Sequence, residues 1–251
     1  MEVKVFGDQH DLDSYAASLI VHTVKDKTNP VLGLATGSTP IGIYRALVED
    51  FRQGTISFRG VTTYNLDEYV GLPPVHSQSY AYYMKQHLFQ HIDIDPSNIN
   101  IPNGMADDLS GECRRYDSLL EGRPIDLQLL GIGHNGHIGF NEPGDTLTGG
   151  THVVELKEAT RRANARFFTS YNDVPKLALT MGVGSILKAR KIVLCVRGSD
   201  KAQIVKEALT GPITTACPAS LLQTHANVIV LLDRDAGKEW IDHVNGVEMA
   251  H

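Results

Sequence analysis

The stretch Leu127-Gln128-Leu129-Leu130-Gly131-Ile132-Gly133-His134-Asn135-Gly136-His137-Ile138-Gly139-Phe140-Asn141-Glu142-Pro143-Gly144 decides how this chain is read. Leu127 to Ile132 is a short, mostly apolar run, and such runs read as strands of a parallel sheet covered by helices. Gly131, Gly133 and Gly136 then match G-x-G-x-x-G, which after a strand points to a dinucleotide site. A dinucleotide turn opens a long helix, whereas Pro143-Gly144 stops any helix almost at once. The glycines therefore read as a tight loop around a ligand that presents His137 and Glu142 together. A histidine beside a carboxylate suits general acid–base work, because the acid orients the imidazole and raises its basicity. A lone histidine here would be a structural hydrogen-bonding group. The three glycines, Asn135 and Glu142 around it favour chemistry.

The same texture repeats outward from this loop. Short apolar runs at Val3 to Phe6, Val31 to Ala35, Val61 to Asn65, Ile192 to Val196 and Val228 to Leu232 read as further strands. Helical periodicity lies between them, at Asp11 to Val24, Ile41 to Phe51, Ser77 to Leu88, Asp107 to Leu120, Lys201 to Leu209 and Arg234 to Val244. Alternation of this kind predicts an α/β fold: a doubly wound, mostly parallel sheet with helices on both faces, Rossmann-like in architecture. Residues 144–160 are rich in Gly and Thr and lack a helical period, so they read as a lid excursion over the sheet edge. No repeat, low-complexity tract or linker divides the chain, and residues 1–251 are expected to form one domain.

Bulk composition narrows the partners. With 251 residues, 42% hydrophobic and 21% charged, the chain can bury a full core without staples. A net charge of −6 and the lack of any long basic run argue against a nucleic-acid groove or an anionic membrane surface. The first residues carry acids instead of the basic and apolar blocks of a signal peptide, and no apolar run approaches a membrane span. The three cysteines, Cys113, Cys195 and Cys217, show no paired spacing, so neither a metal site nor a disulfide is expected. Reduced thiols and a cytoplasmic location follow as expectations.

In open α/β sheets ligands bind beyond the carboxyl ends of the strands. After Val31 to Ala35 comes Thr36-Gly37-Ser38-Thr39-Pro40 and then a helix start, which offers hydroxyls, free N–H groups and a positive dipole end to an anion. The Gly-Lys-Ser/Thr ending of a P-loop is missing. An ordinary helix cap accounts for part of this run, but four such residues exceed what a cap needs. After Val61 to Asn65 come Asp67 and Glu68, of which at most one faces a ligand if the strand continues. Taken alone that pair reads as a solvated turn. Lys201 opens a helix, where the dipole disfavours a cation unless an anion lies nearby. Arg166 stands beside Phe167 and Phe168, which favours a packed, fixed position.

Together these pieces resemble the glucosamine-6-phosphate deaminase family. The resemblance rests on Leu34 to Pro40, Asn65 to Pro73, Gly131 to Gly144, Ala163 to Phe168 and Gly198 to Ala202, in the family order, and covers the chain to about residue 233. His137 to Pro143 is the most specific part. The resemblance implies cofactor-independent conversion of glucosamine 6-phosphate and water to fructose 6-phosphate and ammonia. It implies that His137 opens the sugar ring, that Glu142 orients it with Asn135 as a further partner, and that Asp67 takes the C2 proton. Thr36, Gly37, Ser38, Thr39, Arg166 and Lys201 would hold the phosphate.

Two departures from the family pattern bear on mechanism. Some members carry Asp where this chain has Asn135, and an amide leaves imidazolium stabilisation to Glu142 alone. Allosteric members bind N-acetylglucosamine 6-phosphate with an Arg-x-Lys pair where this chain has His152-Val153-Val154. The expectation is an enzyme that this activator does not activate. Without that switch a monomer suffices, although the sequence leaves a homo-oligomer open. Two rival readings are a 6-phosphogluconolactonase, which would leave Asp67 and the loop at 140–143 without a purpose, and a non-catalytic sugar-phosphate sensor, which would not need Asp67, His137 and Glu142 together.

Overall fold

The computed structural model describes residues 1–248. Ten strands run in chain order: β1 (Glu2–Phe6), β2 (Val31–Leu34), β3 (Thr62–Asn65), β4 (Asp67–Tyr69), β5 (Ile99–Asn100), β6 (Leu127–Leu130), β7 (His152–Glu155), β8 (Leu177–Thr180), β9 (Ile192–Val196) and β10 (Val228–Asp233). The helices are α1 (Gln9–Lys25), α2 (Ile41–Arg52), α3 (Tyr80–His87), α4 (Leu109–Gly122), α5 (Glu158–Asn164), α6 (Val183–Leu187), α7 (Ala202–Thr210) and α8 (Arg234–Glu248). All six strand segments read from the sequence are present, with ends within two residues of those expected.

Seven strands form one sheet in the order β1-β10-β9-β6-β2-β3-β5, and every pairing in it is parallel. Side chains alternate between its faces. Ile192, Leu194 and Val196 join one core with Leu130, Val230 and residues of α7, while Val193 and Cys195 join a second core with Leu12, Ile20 and Leu47 of α1 and α2. That alternation is why strands apolar on both faces need helices on both sides. The chain runs from β2 toward β5 in one direction and from β6 toward β1 in the other, so the order reverses between β2 and β6. The loops after β9, β6, β2 and β3 therefore lie side by side at one edge, at the switch point where α/β sheets bind ligands.

A second sheet, in the order β4-β8-β7, is antiparallel and was not legible in the sequence. Its strands have three or four residues each, too few for a clear period. The chain leaves the main sheet at Leu66 and enters the small one at Asp67. The excursion at 144–160 does leave the main sheet, but it is not loop throughout, because it contains β7 and the start of α5.

A buried ion pair ties the helical layer to the strand ends. Asp13 of α1 meets the guanidinium of Arg197, just after β9, and lies against Gly42 in the first turn of α2. Both side chains are nearly buried, and burial pulls the Arg197 pKa down. Removing one partner leaves the other charged in a poorly solvated place. Asp13→Ala is therefore expected to lower the unfolding free energy by about 3 kcal/mol, measured by urea denaturation. A loss near that of an exposed ion pair would contradict the assignment.

Candidate active site

The loop after β2 runs Ala35 to Pro40 before α2 begins. Two tyrosines fix its path: Tyr44 donates to the Ala35 carbonyl at 2.5 Å, and Tyr83 donates to the Gly37 carbonyl at 2.6 Å. Gly37 turns at φ 103°, a conformation that other residues adopt only under strain. No side chain caps α2, so Ser38 and Thr39 leave its first N–H groups unclaimed. An ordinary side-chain cap thus does not explain this loop, and its N–H groups are left for an anion to accept.

Two cations belong to the same edge. Lys201 closes a 3₁₀ turn at Ser199–Lys201 and stands as N-cap of α7. Its ammonium donates to the Ile132 carbonyl at 3.1 Å. Burial lowers its pKa to about 8, Asp200 works against that, and nearby Arg166 lowers it further. Arg166 is exposed, not packed as its two Phe neighbours implied, and its guanidinium lies 4.7 Å from the Phe167 ring centre. A lysine whose charge is disfavoured by burial and by a neighbouring guanidinium is one that a bound anion would relieve.

The loop after β6 carries no helix through Thr151, which removes the dinucleotide reading. The His137 ring lies directly against Gly133. A Cβ there would fall 2.2 to 2.4 Å from three ring atoms, so only glycine admits the imidazole. Glu142 is 6% exposed, with Oε2 3.6 Å from His137 Nδ1. That distance is an ion-pair contact longer than a hydrogen bond, and His137 Nδ1 has no hydrogen-bond partner among the described residues. Asn135 donates to Glu142 Oε2 at 2.6 Å and accepts from the His137 backbone N–H at 3.2 Å. It therefore holds Glu142 and the loop, and does not touch the imidazole. Thr160, which no sequence signal marked, donates to Glu142 Oε1 at 2.5 Å. Burial raises the Glu142 pKa, but the facing His137 ring and the donors Thr160 and Asn135 outweigh it and hold the carboxyl at about 2.

Asp67 comes from another element. It stands opposite Thr180 in the β4–β8 ladder, and the Thr180 hydroxyl accepts from the Phe140 N–H at 3.1 Å. A Cβ built on Gly139 would lie 3.7 Å from Asp67 Oδ2, so its carboxylate adjoins the loop that carries His137. Asp67 and Glu68 are both buried, at 7% and 3% exposure, so the solvated-turn reading of that pair is wrong. The two acids divide their tasks as strand alternation requires. Glu68 accepts from the N–H groups of Tyr69, Tyr80 and Ala81 at 2.8 to 2.9 Å and seals the start of α3. Asp67 has no hydrogen-bond donor among the described residues. Burial first, and then the Glu68 charge, push its carboxyl from 3.8 up to about 8.

Between those two values the folded chain keeps a proton that the unfolded chain has lost, so this group lowers stability as pH rises across the window. Asp67→Asn removes that slope. Calorimetry should show a Tm gain over wild type that grows from about pH 5 to about pH 8 and reaches several degrees, on the order expected for a few kcal/mol. A difference independent of pH would show that Asp67 ionises as an ordinary surface acid.

Comparison with known proteins places the chain in a family. Residues 8–231 match the family model described as glucosamine-6-phosphate isomerases/6-phosphogluconolactonase. A glucosamine-6-phosphate deaminase of Geobacillus sp. (strain WCH70) is 56% identical over 231 residues, covering 92% of each chain. The solved structure of a monomeric glucosamine-6-phosphate deaminase superposes with a TM-score of 0.92 at 49% identity, covering 95% of this chain and all of the other. A 6-phosphogluconolactonase from Trypanosoma cruzi shares the fold at a TM-score of 0.77 but only 19% identity, over 94% of this chain and 96% of its own. The chain belongs to the glucosamine-6-phosphate isomerase/6-phosphogluconolactonase family, and within it resembles the deaminases far more closely than the lactonase.

Proposed function

We propose that this chain converts glucosamine 6-phosphate and water to fructose 6-phosphate and ammonia. The observation that carries the reading is a buried carboxylate without donors, Asp67, set beside a loop that carries a histidine–glutamate pair. A lactonase has no use for the first. An aldose–ketose isomerisation needs both.

The phosphate sits on Thr36 to Thr39 and the start of α2, with Lys201 and Arg166 closing on it. That grip fixes the far end of the sugar and turns the later proton transfers into intramolecular steps. His137 exchanges protons with the ring oxygen and the C1 hydroxyl, which opens the pyranose to the aldehyde. Glu142, ionised at any working pH because its carboxyl titrates near about 2, faces the imidazole and stabilises its cationic form. Asp67 then takes the C2 proton and returns it to C1, leaving an imine at C2. Water adds to that carbon and ammonia departs, giving the ketose. A carboxyl raised to about 8 is a far stronger base than an ordinary aspartate, and the substrate's C2 ammonium favours its ionised form on binding.

Ammonia release from glucosamine 6-phosphate, followed by a coupled assay, tests the reading, with loss of 6-phosphogluconolactone as the rival outcome. The expected result is ammonia release by the wild type and a loss of about a thousandfold in kcat for Asp67→Asn. Because kcat/KM reports the free enzyme, its acidic limb should lie near about pH 8. Undiminished turnover by Asp67→Asn overturns the base assignment, and lactone hydrolysis without ammonia overturns the function.

Regulation and assembly are part of the same proposal. His152 and Val154 occupy β7, and the His152 ring lies 3.0 Å from the Gly150 carbonyl, so this strand presents no pair of cations to an activator phosphate. Substrate curves should be hyperbolic and unmoved by N-acetylglucosamine 6-phosphate. A sigmoidal curve that the activator straightens refutes this. The chain acts as one domain and as a monomer; a similar solved structure is that of a monomeric glucosamine-6-phosphate deaminase. A cytoplasmic location is the one expected of a sugar-phosphate enzyme, and the net charge of −6 fits it.

A further inference from the structure

Helix α5 touches both halves of the active site. Lys157, just before it, donates to the Pro143 carbonyl at 2.5 Å. Thr160, in its first turn, donates to Glu142 Oε1 at 2.5 Å. Asn164, at its end, donates to the Tyr69 hydroxyl at 2.9 Å, two residues along β4 from Asp67. Arg166 follows directly. One seven-residue helix thus links the acid–base loop, the strand of the proposed base and a cation of the phosphate site.

We infer that Thr160 is a positioning residue that sets the plane of the Glu142 carboxylate, so that Oε2 faces His137. The inference rests on the reading of the site given above. Glu142 has three polar neighbours: Thr160 on Oε1, and Asn135 and His137 Nδ1 on Oε2. His137 is the titratable group that faces it. Asn135 alone holds one oxygen, about which the carboxylate can turn. The Thr160 hydroxyl holds the other oxygen and removes that freedom. Thr160 is itself buried, 8% exposed, so water does not readily replace its hydrogen bond. The link also means that the helix preceding Arg166 must be seated for the acid–base pair to be aligned.

Thr160→Val keeps the shape and removes the donor, while Thr160→Ser keeps the donor. In the ammonia-release assay Thr160→Val should lose about tenfold in kcat, the scale of one charge-assisted hydrogen bond, with KM within about twofold of wild type. Carbon-13 NMR should show the Glu142 carboxyl titrating above its wild-type position near about 2. Thr160→Ser should restore both. Wild-type kcat and an unmoved Glu142 titration in Thr160→Val overturn the inference. So does an equal loss in the Ser and Val variants accompanied only by a lower Tm, which marks a purely structural role. The NMR arm needs no turnover, so it judges Thr160 even if the wild type releases no ammonia and the proposed reaction fails.

Discussion

The site depends on the pairing of β4 with β8. At Leu66 the chain steps out of the parallel sheet, and the next residue, Asp67, is laid opposite Thr180 in an antiparallel ladder. The Leu66 carbonyl accepts from the Met181 N–H at 2.7 Å, which locks the step. Thr180 then receives the Phe140 N–H, and the Met181 carbonyl receives the Asn141 side-chain amide at 2.8 Å. A single strand pair therefore places the carboxylate and also holds the loop that carries His137 and Glu142. Were β4 to continue in the main sheet, Asp67 would follow the direction of β3 and the acid–base loop would lose its anchor.

The environments on either side of that pair push two carboxylates in opposite directions. Both are buried, and burial raises the pKa of each. Around Glu142 the fold supplies the facing His137 ring and donors from Thr160 and Asn135, and these outweigh the desolvation. Around Asp67 it supplies none, and the Glu68 charge adds to the cost of ionisation. On the proposed reading, one acid is the anion that faces the histidine and the other the base poised near its working pH. Lys201 shows the same logic with the sign reversed. It is held partly buried and close to Arg166, so its charge is best tolerated when an anion arrives.

Much of this was legible in the sequence because it depends on short-range pattern. The strands of the main sheet announce themselves by apolar runs, and the helices by their period. The proline after Glu142 rules out a dinucleotide turn by local sterics alone. Thr36 to Thr39, the loop at 131–144 and Lys201 follow β2, β6 and β9 of the main sheet, as the chain order implied, while Asp67 lies in the small sheet and Arg166 follows α5. The small sheet was not legible, since strands of three or four residues carry no period, and so the burial of Asp67 and Glu68 was misjudged as a surface turn. Thr160 and Asn164 were invisible for a different reason: their partners Glu142 and Tyr69 lie 18 and 95 residues away.

The loop at 131–144 thus has two origins. Sequence alone determined its composition and its limits: three glycines that let the backbone fold tightly, a histidine and a glutamate five residues apart, and a proline that forbids a helix. Those are properties of neighbouring residues, fixed by backbone sterics. Tertiary structure decided which acid has its pKa raised, which has it lowered and which accepts from the start of a helix. Those properties follow from how many donors surround each buried carboxylate, and the donors arrive from strands and helices distant in the chain.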